Sequence, residues 1–139
     1  MMPRIDFYIL DRGGDDAREH FCCRLAARAW QQGLDVHIRT ADAASAQRLD
    51  EALWTFEPES FIPHGQSSQD GHNPIVIHPD PAPGRLLINL GEDLPAQWSE
   101  RERIAEIITA DDTVRRAGRQ RYRDYQQAGI DPRTHRIEH

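Results

Sequence analysis

The turn Leu10-Asp11-Arg12-Gly13-Gly14-Asp15-Asp16 is the first place where this sequence could do chemistry. A glycine-containing turn between an apolar run and a helix start is where α/β proteins hold phosphates. Here the glycines do not follow the G-x-G-x-x-G spacing, and Asp11, Asp15 and Asp16 would repel a phosphate. The same carboxylates favour a helix N-terminus through the macrodipole, so they read as capping charge. The second strand-like run ends in Arg39 and Thr40, not in the acidic residue that would hold a ribose.

Other chemistries fare no better. All 17 basic residues are arginine, which excludes a Walker A lysine, Schiff-base chemistry and a lysine general base. His64, His72 and His78 are spaced by eight and six residues, a pattern that matches no usual ligand set, so no metal or cofactor is expected. The adjacent Cys22 and Cys23 point about 100° apart on a helix, poorly placed to bridge or chelate, and read as buried reduced thiols. No G-x-S-x-G, H-E-x-x-H or C-x-x-C occurs, and the carboxylates are scattered.

What stands out is charge and aromatic placement. The chain carries −6, which argues against a general nucleic-acid binder. Residues 115 to 136 nevertheless hold seven arginines against Asp124 and Asp131, a net of +5, leaving −11 for the rest. Basic charge is therefore concentrated at one end.

The elements that must position these groups can be read from periodicity. Arg4 to Leu10 alternates as a strand, Asp15 to Gln32 carries a helical stripe through Phe21, Leu25 and Ala29, and Gly33 stops it. Leu34 to Thr40 is a second strand, and Asp42 caps a helix running to about Phe56. The segment from Glu57 to Gly84 reads mostly as loop around the short apolar run at Ile75 to His78. Arg85 to Leu90 is a strand. Pro95 to Thr109 reads as a helix with a strand at its end. A last helix, capped by Asp111 or Asp112, runs to about Ala128 and stops at Gly129, leaving 131–139 as a tail. The β-α-β-α order predicts one α/β domain of Rossmann-like type, a mostly parallel sheet flanked by helices.

On a helical wheel, Ala46, Leu49, Ala52, Leu53 and Phe56 form the core stripe of the second helix. Trp54 falls about 130° from its centre among polar residues. An indole there marks a contact surface or lies under the following loop. On the last helix Val114, Ala117, Gly118, Tyr125 and Ala128 face inward, and Tyr122 lies at the border with Arg115 and Arg119 about one turn away. Such a tyrosine and guanidinium set can hold a carboxylate and an aromatic ring together, or it is a solvated arginine face. Arg121 falls within the apolar stripe and needs a buried partner.

The segments "FYIL", "RLDEALWTFEPESFIPH" and "RQRYRDYQQAG" occur in the order found in the chi subunit of bacterial DNA polymerase III holoenzyme, which this chain resembles in patches from Phe7 to Gly129. The resemblance implies a Rossmann-like accessory subunit without catalysis. It also implies pairing with the psi subunit of the clamp loader and binding of the acidic, phenylalanine-ended C-terminal tail of single-stranded DNA-binding protein. The family's tail-binding positions carry over to Trp54, Phe61, Arg119 and Tyr122, with Arg123 at the neighbouring basic position. The connection "TADDTV" before the last helix is shorter than the family's.

The expectation is thus a cytoplasmic adaptor, monomeric or heterodimeric, with little direct DNA binding and no membrane association. No apolar run reaches the roughly 18 residues a bilayer span needs, and "MMPRIDFYIL" lacks the pattern of a secretory signal. The competing readings are a small Rossmann-like enzyme acting on a nucleotide or phosphate ester, and single-stranded DNA binding by the arginine-rich end.

Overall fold

A computed structural model of the chain describes residues 2–56, 64–66 and 74–138. Seven parallel strands form one sheet in the order β3-β4-β2-β5-β6-β1-β7. They are β1 (Arg4–Leu10), β2 (Val36–Arg39), β3 (His64–Gly65), β4 (Ile75–Ile77), β5 (Leu86–Asn89), β6 (Arg103–Ile108) and β7 (Arg133–Ile137). Three helices form part of the connections between them: α1 (Asp15–Gln31) follows β1, α2 (Ala43–Phe56) follows β2 and α3 (Asp112–Gln127) follows β6. This is the α/β, Rossmann-like architecture that the sequence predicts.

The two faces of the sheet are covered separately. Leu10, Val36, Ile38, Ile77, Ile88 and Ile107 project to one side, where α1 brings Phe21, Cys22 and Ala26 and α2 brings Ala46, Leu49 and Leu53. Ile5, Phe7, Leu87, Ile104 and Ile108 project to the other, where α3 brings Tyr125. The alternation of Ile107 and Ile108 between the two clusters is the period-two pattern of a strand buried on both faces. Each such buried aliphatic side chain contributes about 1.5–3 kcal/mol.

Local signals set the helix ends. Asp42 Oδ1 accepts the Ser45 backbone N–H at 2.7 Å and starts α2, and that bond holds the Asp42 carboxyl below the usual carboxylate range. Gly33, at φ +80°, ends α1, and Gly129, at φ +92°, ends α3. Cys22 and Cys23 are buried thiols. Burial pushes both up, Cys23 to about 12, which leaves them inert at neutral pH.

Two expectations need correction. Instead of a helix from Pro95, the chain makes a single 3-10 turn at Trp98–Glu100 and then β6. Ile104, Ile107 and Ile108 are β-branched and β6 is buried on both faces, which a strand between β5 and β1 satisfies and an amphipathic helix does not. The other correction concerns residues 131–139, where Arg133–Ile137 forms the edge strand β7, paired with Asp6 to Leu10.

Candidate functional site

Strand β7 lies outside the cover that α3 gives the sheet, which leaves a groove of about 350 Å³ between α3, β1 and β7. Phe7, Ile9 and Ile108 line it together with the Tyr122 ring, which meets Phe7 edge-on at 5.0 Å between centroids. Gly118 lets α3 lie close to Ile108 of β6: a Cβ there would lie 2.6 Å from Ile108 Cδ1. Arg115 and Arg119 rise from α3 and Arg136 from β7 at its rim. Among the described residues none of the three has a carboxylate within 4 Å. An apolar trough with unneutralised guanidinium groups can take a ring and a carboxylate at once.

A fourth arginine of the helix behaves differently. Arg121 is 2% exposed and its Nε donates to both oxygens of Glu106, at 3.1 Å each, while Nη1 donates to the Glu92 carbonyl at 2.5 Å. Glu106, fully buried, also accepts from Tyr125 Oη at 2.8 Å and from Asn89 Nδ2. Burial and the Glu106 carboxylate push the Tyr125 phenol up, so it remains a donor. Arg121 has the buried partner that its place on the wheel demands. Glu106, masked by the ambiguity of its segment, is the residue that sequence reasoning missed.

The predicted site residues do not gather in one place. Arg119 and Tyr122 share the α3 groove. Arg123 is outside it, on the exposed side of α3, with Nη2 donating to Gln120 Oε1 at 2.9 Å. Trp54 is at the far end of the sheet and on the side covered by α1 and α2, its indole 50% exposed and tilted against the His64 ring of β3 at 4.4 Å. Six strand spacings of about 4.8 Å separate β3 from β7, roughly 25–30 Å. One terminal ring cannot touch both Trp54 and Tyr122, so a single pocket built from the carried-over positions is corrected to two separate surfaces. Phe61 lies outside the described residues.

Sequence comparison fits this fold to known proteins. The family model described as "DNA polymerase III chi subunit, HolC" matches residues 2–133. The chain belongs to that family. It is 36% identical over 139 residues to the DNA polymerase III subunit chi of Pseudomonas aeruginosa, covering 98% of each chain. It is 30% identical over 143 residues to that of Escherichia coli K12 (96% and 97%) and 29% over 143 residues to that of Haemophilus influenzae (99% of each). The three short segments that carry the resemblance therefore sit within a match along nearly the whole chain.

In this member of the chi family the position where doubly wound folds hold ligands is taken by the protein itself. Such ligands bind beyond the carboxyl ends of the strands where successive crossovers leave for opposite faces. That point lies between β1, which leads into α1, and β6, which leads into α3. Asp111 occupies it: Oδ2 accepts the Gly14 backbone N–H at 2.9 Å and the Thr109 hydroxyl at 2.6 Å. The Thr109 bond, then the Gly14 bond, hold its carboxyl below the usual range. Asp111 thus stands at the N-cap position of α3 with its carboxylate turned away from its own helix, which it meets only through its backbone carbonyl, accepting the Arg115 N–H at 3.0 Å, and a Cβ on Gly13 would meet its Oδ1 at 2.9 Å. Asp15 and Asp16 fill the first turn of α1.

Proposed function

We propose that the chain is a non-catalytic adaptor of the DNA polymerase III clamp-loader assembly in DNA replication. Its α3–β7 groove binds the acidic C-terminal tail of single-stranded DNA-binding protein, and a separate surface pairs with the psi subunit. The observation that carries this reading is the set of three arginines, Arg115, Arg119 and Arg136, without carboxylate partners among the described residues, around an aromatic trough on a chain of net charge −6. Arg115 and Arg119 meet the tail's carboxylates while its terminal phenylalanine ring lies against Phe7 and Tyr122. Arg123, one turn beyond Arg119 and outside the groove, adds to the field that steers the acidic chain.

Psi pairing at the Trp54 end would leave the groove open, because the two lie on opposite faces of the sheet. An exposed indole is the kind of anchor that interfaces use. The enzymatic alternative is disfavoured by Asp111, whose carboxylate holds the amide and hydroxyl donors that a phosphate would require.

Titration of a labelled acidic peptide ending in phenylalanine tests the groove. The wild-type chain binds it with an affinity that falls as salt rises, and Arg119→Ala weakens binding roughly 10- to 100-fold, the loss of one charge-assisted hydrogen bond. Equal affinities for wild type and Arg119→Ala would remove Arg119 from the account.

A further inference from the structure

A second cavity lies apart from the α3 groove. It opens on the other face of the edge strand, between the C-terminal half of α1 and β7, and measures about 590 Å³. Four arginines line it: Arg24 and Arg28 from α1, Arg103 from β6 and Arg4 from β1. Arg4 and Arg103 are register partners on adjacent strands, which brings their side chains to the same face. A nearby carboxylate, Asp6, is already shared, accepting from Arg4 Nε at 3.1 Å and facing His135 Nε2 at 2.8 Å. Arg24, Arg28 and Arg103 have no carboxylate within 4 Å among the described residues. The Nε of Arg103 is shut away from solvent without a hydrogen-bond partner.

Like charges gathered in this way repel one another, and in a chain with more acidic than basic residues they could readily have been neutralised from within. The wall beside them is aromatic, with Tyr8 and His135 stacked at 5.0 Å. Burial and Asp6 push the Tyr8 hydroxyl up while Arg103, Arg4 and Arg28 pull it down, so three of the guanidinium groups direct their field at this wall.

Strand β7 connects this cavity to the α3 groove. Thr134 and Arg136 line the groove on one face, and His135 and Ile137 line the cavity on the other. The outer edge of β7 has no strand beside it among the described residues, and an extended chain alternates its side chains with the same period of two. Three or four extended residues, at about 3.3 Å each, are enough to pass from one face of a sheet edge to the other.

We propose that the arginine cavity is the second half of the tail-binding surface: an acidic peptide whose terminal ring sits in the α3–β7 groove crosses β7 and lays its upstream carboxylates against Arg24, Arg28 and Arg103. The inference rests on the tail-binding reading of the groove and extends it. Charge complementarity and continuity across one bare edge strand select an acidic peptide as the occupant.

Two labelled peptides test it on the full chain, one of four residues ending in phenylalanine and one of twelve with the same end and acidic residues upstream. Wild type binds the longer peptide roughly tenfold more tightly than the shorter. The double variant Arg24→Ala, Arg28→Ala, whose two sites are exposed and whose Tm is checked, abolishes that difference and binds the short peptide as wild type does. Persistence of the length advantage in the double variant overturns the inference and leaves the groove reading intact. Failure of wild type to bind either peptide overturns both. An oligothymidylate that binds wild type and is lost in the double variant assigns these arginines to nucleic acid and overturns the peptide as occupant.

Discussion

Arg121 and Arg119 stand two residues apart on α3, and they differ in almost everything but type. The first is buried and donates to Glu106 and to the Glu92 carbonyl, whereas the second is exposed at a groove with no carboxylate in reach among the described residues. Arginine count alone therefore says little about partners. What separates a structural cation from a binding one is whether the fold supplies its counter-charge, because a buried charge without a partner is far costlier than an exposed one. His37 lies on the structural side of this division. Its Nε2 donates to the His78 carbonyl at 3.0 Å and its Nδ1 accepts from Arg101 at 3.1 Å, so it is held neutral.

The contrast is sharpened most by Glu106→Gln. Removal of that carboxylate strands Arg121 inside the protein and is expected to cost about 3–5 kcal/mol, measured by denaturant unfolding. A loss below about 1 kcal/mol would mean that Arg121 finds solvent or another acceptor and is not a structural cation.

Acid titration of His37 comes next. Burial, with the Arg101 cation adding to it, lowers its pKa to about 4 against the His78 bond, while the unfolded imidazole titrates near 6.5. The unfolded chain therefore takes up a proton first as pH falls. This contribution to stability is whole above about pH 6.5, declines between 6.5 and 4, and levels off below. The full difference is about 3 kcal/mol. His37→Asn should lose less stability than wild type between pH 7.5 and 4.5, and parallel curves for the two would place His37 outside the acid response.

Arg119→Ala tests the other side. Unfolding free energy should change by no more than about 0.5 kcal/mol, although the same substitution is expected to weaken acidic-peptide binding. A large loss of stability would show that Arg119 is structural like Arg121. The smallest expected effect is at the switch point, where a panel of nucleotides should leave Tm unchanged because Asp111 already holds the Gly14 and Thr109 donors. A clear rise with any of them would reopen the enzymatic reading.

The sequence carried the order of most elements because their signals are local. β1, α1, β2, α2 and α3 each show a clean period and a cap or stop, such as the Asp42 bond to Ser45. The wheel also separated Trp54 from the core of α2 and put Arg121 inside the stripe of α3. Elements without a local period were harder to read. β6 carries Glu106 amid its isoleucines, which breaks the apolar run, and β7 reads "RTHRI", an edge strand with one apolar residue, whose strand character comes from pairing with β1. The site was legible in part for a related reason. Arg119 and Tyr122 lie three apart on one helix, a spacing that fixes their nearness, whereas whether Trp54 joins them depends on strand order, which no short-range pattern contains.

That division into two surfaces is tested most directly by measuring the affinity of one acidic, phenylalanine-ended peptide for wild type, Arg119→Ala and Trp54→Ala. The account predicts that Arg119→Ala weakens binding roughly 10- to 100-fold and that Trp54→Ala binds as wild type does. Comparable losses in both variants would contradict it, since they would require one peptide site to reach both ends of the sheet.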